Sequence, residues 1–171
     1  MKRIEDYIIP VPDFPKPGVL FRDITGILGD AEGLKLTLDA LYKALENVEF
    51  DAVAGLEARG FLFGVPIAEH FHKFFIPVRK KGKLPRETVE ISYNLEYGNA
   101  CMEIHKDAVK PGQKIIVVDD LLATGGTAAA AIDLVRKFNP TFVATHFLME
   151  IKALNGRDKI HADDIRTLHY V

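Results

Sequence analysis

Ile115, Ile116, Val117 and Val118 run straight into two adjacent acids, Asp119 and Asp120, and then into the small-residue stretch LLATGGT, which ends at Thr127. Four consecutive apolar residues suit a strand covered on both faces, the kind found in the middle of a parallel sheet. Ala128, Ala131, Ile132 and Val135 then recur at helical spacing, so the loop opens a helix. A strand, a small-residue loop and a helix in that order restrict the chain to an α/β fold. In such folds ligands sit outside the carboxyl ends of the strands, where Asp119 and Asp120 fall.

The chemistry of the loop follows from its composition. Small residues let the backbone approach a ligand closely, and a helix start offers unpaired N–H groups and the positive end of a dipole. Thr124 and Thr127 add hydroxyl donors around Ala123, Gly125 and Gly126. Two neighbouring carboxylates can accept hydrogen bonds from the vicinal hydroxyls of a sugar. The pattern describes a ribose 5-phosphate site, with the diol on the acids and the phosphate on the loop. A plain turn would explain a bare Gly-Gly beside one Asp. It does not explain two acids after four apolar residues, followed by a helix. Neither GxxxxGK[ST] nor GxGxxG is present, so this is neither a Walker A nor a dinucleotide loop.

Strands and helices alternate along the rest of the chain. Leu34, Leu38, Leu41 and Leu45 predict an amphipathic helix over 33–47. A short strand passes through Val53, a helix covers 60–72, and FFIPVRK at 74–80 reads as a strand that Pro77 pushes towards an edge. Val89, Ile91, Tyr93 and Leu95, then Ala100, Met102 and Ile104, alternate with polar residues around a Tyr97-Gly98-Asn99 turn. That pattern is a β-hairpin, placed as a flap over one end of the sheet. Thr141 to Met149 forms a further strand. Residues 10–18, with four prolines and a glycine, read as an irregular arm. The tail beyond residue 150 reads as an appendage that ends a strand and starts a short helix.

Charge and cysteine usage exclude several functions. A net charge of −2 gives no global attraction to nucleic acid or to an acidic membrane surface. No apolar run is long enough to span a bilayer, and no signal-peptide pattern is found. The lone Cys101 cannot close an intrachain disulfide, which points to a reducing, cytoplasmic compartment. The histidines have no zinc-ligand spacing.

VVDDLLATGGT resembles the phosphoribosyl-pyrophosphate (PRPP) motif of type I phosphoribosyltransferases. Four further blocks resemble the adenine phosphoribosyltransferases in particular: DFPKPGVLFRDIT at 13–25, GLEARGFLFG at 55–64, VRKKGKLP at 78–85, and YNLEYGNACMEIHKDAVKPGQ at 93–113. They occur in family order and cover most of the chain from Asp13 to Met149. The resemblance implies a single Rossmann-like domain over 1–171, its mostly parallel sheet flanked by helices. It also implies a base-recognising arm or hood over 1–32 and a flexible hairpin flap over 80–106. The implied reaction is adenine plus PRPP giving AMP and pyrophosphate, with Mg2+, in a homodimer serving purine salvage.

The resemblance also distributes roles. Asp119 and Asp120 hold the ribose and possible metal-bound waters, the magnesium being carried mainly by PRPP. Ala123 to Thr127 bind the phosphate. Glu57, Ala58 and Arg59 form a pyrophosphate loop with a cis Glu57–Ala58 peptide. Arg79, Lys80, Lys81 and Lys83 add cations there, although such a run in isolation is more often a solvated loop. Leu20, Phe21 and Arg22 recognise adenine, where residues alone would only pin the arm to the core. Glu96 and Tyr97 close the flap over the reacting centre with Arg59 nearby, where residues alone give an exposed hairpin turn. Two other readings stay open: transfer to a different purine base, and a PRPP-sensing regulator without turnover.

Overall fold

The computed structural model describes residues 2–94 and 98–171. The chain divides into two compact units, Met1–Glu46 and Asn47–Val171.

In the first unit, β1 (Ile9–Pro12) pairs antiparallel with β2 (Leu20–Asp23), and α1 (Thr25–Leu28) and α2 (Ala31–Leu45) follow. The arm is therefore not irregular throughout. Pro10 and Pro12 lie two apart and share one parity in the ladder, so an antiparallel pair can place both missing N–H groups on its unpaired side. Asp30 caps α2 by accepting from the amides of Glu32 and Gly33, both at 2.9 Å. The fully covered stripe of α2 is Gly33, Thr37, Leu41 and Leu45; Leu34 and Leu38 flank it, half-buried.

The second unit is built on one seven-stranded sheet in the order β5-β6-β4-β3-β7-β8-β9. Its strands are β3 (Ala52–Leu56), β4 (Phe74–Lys80), β5 (Thr88–Asn94), β6 (Asn99–His105), β7 (Lys114–Leu122), β8 (Phe142–Glu150) and β9 (Asp164–Tyr170). The run β4-β3-β7-β8-β9 is parallel, and the β5–β6 hairpin joins it antiparallel to β4. The chain steps outwards from β3 to β4 in one direction and from β7 to β8 and β9 in the other. The switch in winding direction thus lies between β3 and β7, the place where open α/β sheets form ligand crevices.

Both faces of the sheet are covered. Helix α4 (Gly126–Arg136) packs on the face carrying Ala52, Ala54, Ile115 and Val117. Helix α3 (Arg59–His70) lies on the other face, with Gly60 against the Val118 carbonyl and Gly64 against Val53. This explains the uninterrupted apolar run 115–118, where each residue is fully buried. Pro77 is compatible with an inner strand because β4 pairs with β6 only at Arg79 and Lys80. Val78 turns its carbonyl towards β3, where it accepts from Glu57 N–H, so the Pro77 nitrogen faces the side that β6 has not yet reached.

Two expectations need correction. The tail is not an appendage, because β9 is the edge strand of the main sheet, parallel to β8. Nor does a short α-helix begin there; two 3-10 turns, Lys152–Leu154 and Gly156–Lys159, connect β8 to β9.

Candidate active site

The carboxyl ends of β3, β4 and β7 open into a cleft of about 810 Å³ within the second unit. Each strand contributes a different chemistry to it. From β7 come Asp119 and Asp120, followed by Ala123, Thr124, Gly125 and Thr127. From the β3–α3 turn come Glu57, Ala58 and Arg59, and from the end of β4 comes Lys80. Sites more than sixty residues apart in the chain are thereby brought to one crevice.

The loop at 123–127 is shaped by backbone requirements. Gly125 has φ 81°, a left-handed conformation that favours glycine, and it is the N-cap of α4. No side chain caps that helix and no acid lies in its first turn, so its leading amides remain available to an anion. A Cβ on Gly125 would overlap the Gly156 carbonyl oxygen, and a Cβ on Gly156 would overlap the Ala123 carbonyl and meet the Gly125 nitrogen at 2.9 Å. Residue 156 is thus the rear wall of the loop. Arg157 fixes that wall, bonding Glu150 through Nε at 3.1 Å and through Nη2 at 2.6 Å, and the Ile165 carbonyl at 3.0 Å.

The two acids occupy different environments. Asp120 is buried and its Oδ2 lies 2.8 Å from Arg59 Nε. Asp119 is partly covered and accepts the Asp120 N–H at 2.9 Å. Desolvation, and after it the neighbouring Asp120 carboxylate, holds the Asp119 carboxyl well above the usual aspartate range. A ligand that brings hydroxyl donors or a cation to this pair would offset that penalty.

The Glu57–Ala58 peptide is cis, as the resemblance implies. Arg79 does not line the cleft. Its Nε and Nη2 hold the two Glu57 carboxylate oxygens at 3.2 Å each, and its Nη1 donates to the Lys83 carbonyl at 3.1 Å. The Arg79 hydrogen bond is the main reason that the Glu57 carboxyl sits below its ordinary value. Lys83 is likewise a loop residue whose N–H is bonded to Glu103, and Gly126 stands just behind the cleft wall at the start of α4.

Leu20, Phe21 and Arg22 form β2 of the first unit. Leu20 is 47% exposed, and Phe21 meets Phe14 edge to face at 5.2 Å. Glu96 and Tyr97 lie outside the described residues. Lys81, from the same run of cations, also lines the cleft, and sequence reading did not place Tyr93 and Cys101 there. The inward parity of Tyr93 was legible in the hairpin alternation, but which face of the hairpin meets the cleft was not.

Comparison with known proteins assigns this arrangement. The family model described as "Phosphoribosyl transferase domain" matches residues 31–170. The adenine phosphoribosyltransferase of Butyrivibrio fibrisolvens is 55% identical over 163 residues, covering 95% of this chain and 91% of its own. The chain belongs to the adenine phosphoribosyltransferase family. The crystal structure of adenine phosphoribosyltransferase from Thermoanaerobacter pseudethanolicus superposes with a TM-score of 0.94 at 48% identity, covering 98% of both chains. That from Saccharomyces cerevisiae, complexed with an imino-altritol bisphosphate and adenine, gives a TM-score of 0.88 at 39% identity over 94% of both. The type I phosphoribosyltransferase fold expected from sequence is the fold found. In adenine phosphoribosyltransferase terms, the sheet is the Rossmann-like core.

Proposed function

We propose that this chain transfers the phosphoribosyl group of PRPP to adenine, giving AMP and pyrophosphate in purine salvage. The observation that carries the reading is the convergence of Asp119, Asp120, the 123–127 loop, Arg59 and Lys80 on one cleft at the switch point of the sheet. Acids for a diol, amides for a phosphate and cations for a leaving pyrophosphate are what a ribosyl transfer requires.

Asp119 and Asp120 hold the ribose hydroxyls, and Ala123, Thr124, Gly125, Gly126 and Thr127 hold the 5-phosphate. Ala58, Arg59 and Lys80 receive pyrophosphate. Glu57 shapes that turn, with Arg79 acting through Glu57 and Lys83 through the loop. Leu20, Phe21 and Arg22 supply base recognition from the first unit, so the domain functions as the whole of 1–171 with its hood at 1–32. The segment 80–106 is the flap that excludes water from the ribosyl cation, and its Glu96 accepts the proton leaving adenine while Tyr97 shields the centre.

Magnesium fits the donor set as a substrate-borne ion. Among the described residues no group of three or more His, Cys, Asp or Glu could hold a metal. Two adjacent carboxylates suit a hard cation that keeps its waters and leans on phosphate oxygens. When bound, it neutralises charge on the departing pyrophosphate. The reading includes a homodimer, supported by Leu62, Val65 and Phe74, which are 43%, 48% and 44% exposed. It also places the protein in the cytoplasm, supported by the single Cys101. Among the described residues no helix is long and apolar enough to cross a membrane.

The test is incubation with PRPP, Mg2+ and each free base, following pyrophosphate release. Release is expected with adenine alone. Release with hypoxanthine or guanine instead would change the assigned base, and no release with any base would leave a regulator. Phe21→Ala is expected to raise KM for adenine while PRPP affinity holds.

A further inference from the structure

The cations that line the cleft on the β4 side, Lys80 and Lys81, stand where β4 gives way to a loop. Charges on a loop bind an anion well only if the backbone carrying them is already ordered, since otherwise each binding event bears the ordering entropy. Several contacts order the loop after β4, and one buried carboxylate makes two of them. Glu103 of β6 is 4% exposed, and one of its carboxylate oxygens accepts the N–H groups of Lys83 and Leu84, both at 2.9 Å. Its other oxygen accepts the Thr88 hydroxyl at 3.3 Å. Two residues earlier on β6, the Cys101 carbonyl accepts Lys81 N–H at 3.0 Å.

This carboxylate has the wrong sign for its place. A negative charge one strand away from a pyrophosphate site lowers the local positive potential and opposes the ligand. Burial alone would also raise its pKa. The amides of Leu84, Gly82 and Lys83, with the Thr88 hydroxyl, outweigh that burial and hold the Glu103 carboxyl below its ordinary value. The group is thus kept as an anion, and what it gains is the grip on loop amides.

We propose that Glu103 is a positioning residue for pyrophosphate, its buried carboxylate holding the Lys83 and Leu84 amides so that Lys80 and Lys81 stand ordered at the cleft. The inference rests on the reading of the β4 end as the pyrophosphate side of the site.

Field and positioning predict opposite signs for one substitution. Glu103→Met removes the opposing charge together with the oxygens that accept the loop amides, so a purely electrostatic role makes pyrophosphate bind more tightly. Positioning makes it bind more weakly, by about tenfold, the size of one or two hydrogen bonds. AMP, held by the acids and the β7 loop, keeps its affinity. The measurement is calorimetric titration of the full chain with magnesium pyrophosphate and, separately, with AMP. Glu103→Asp keeps the charge but shortens the reach, and it too should weaken pyrophosphate alone, which preserves the test if the Met variant does not fold. Pyrophosphate affinity that is unchanged or tighter overturns the proposal, as does an equal loss for AMP. Lys80→Ala separates the two levels. If it weakens pyrophosphate while the Glu103 variants do not, only the positioning inference fails. If it too leaves pyrophosphate unchanged, the pyrophosphate reading of this edge fails with it.

Discussion

Asp119 holds its proton more tightly than an ordinary aspartate, because covering and a neighbouring carboxylate both disfavour its charge. A group whose pKa is raised on folding contributes stability that is complete below its unfolded pKa and is lost as pH rises through the folded value. At neutral pH the ligand-free protein therefore carries a penalty at this position. Asp119→Asn removes it, so the variant should melt higher than the parent, by a margin that widens as pH goes from about 4 to 8. Each kcal/mol relieved is worth about 2–4 °C in a chain of this size. The same variant should lose roughly 10- to 150-fold in AMP affinity, one charge-assisted hydrogen bond of about 1.5–3 kcal/mol. Scanning calorimetry across pH checks the first half, and a margin that shrinks with rising pH would refute it. The two adjacent acids were legible in the sequence because nothing else explains carboxylates at the end of a buried strand. Their inequality was not, since the covering of Asp119 and the Arg59 contact to Asp120 exist only in the fold.

At the scale of elements, the phosphate loop is only as well placed as the turn behind it. Gly156→Ala puts a methyl group into the Ala123 carbonyl, and the obstacle is backbone that cannot swing aside. AMP and PRPP affinity should fall by about tenfold or more, roughly 1.4 kcal/mol. Gly112→Ala is the control. Gly112 also has positive φ, at 86°, but nothing lies within 4 Å of its would-be Cβ. It should cost about 1–2 kcal/mol of stability and leave affinity unchanged. Equal effects of the two on AMP binding would argue against the wall. Strand β7 and helix α4 could be read directly, because a double-sided apolar run and a 3.6-residue period are local signals. Strand β9 could not: at the sheet edge Asp164–Tyr170 is half-buried nearly throughout, so DIRTLHY shows neither clean alternation nor a continuous apolar run. Pro10 and Pro12 misled for a related reason, since proline's objection to strands lapses where only one side is paired.

For the whole molecule, the fold class followed from alternation of strands and helices, whereas the order of strands in the sheet came only with the structure. Association is a different matter, because apolar residues that face a partner look in sequence like those that face the core. Leu62 and Val65 on α3 repeat three apart yet both are exposed. For the homodimer proposed above, Leu62→Lys with Val65→Lys should turn a sedimenting dimer into a monomer without unfolding the sheet, as far-ultraviolet circular dichroism would report. A double variant that still sediments as a dimer moves the interface elsewhere.

Translation proceeds from one end, and the cleft is completed out of order. The acids of β7 and the amides that open α4 leave the ribosome before Gly156, and Arg157, which can bond Glu150 at once, completes its hold on the wall when Ile165 and Thr167 of β9 have followed. A chain without β9 would keep every side chain that lines the cavity and lose two of the contacts by which Arg157 steadies the wall behind the 123–127 loop.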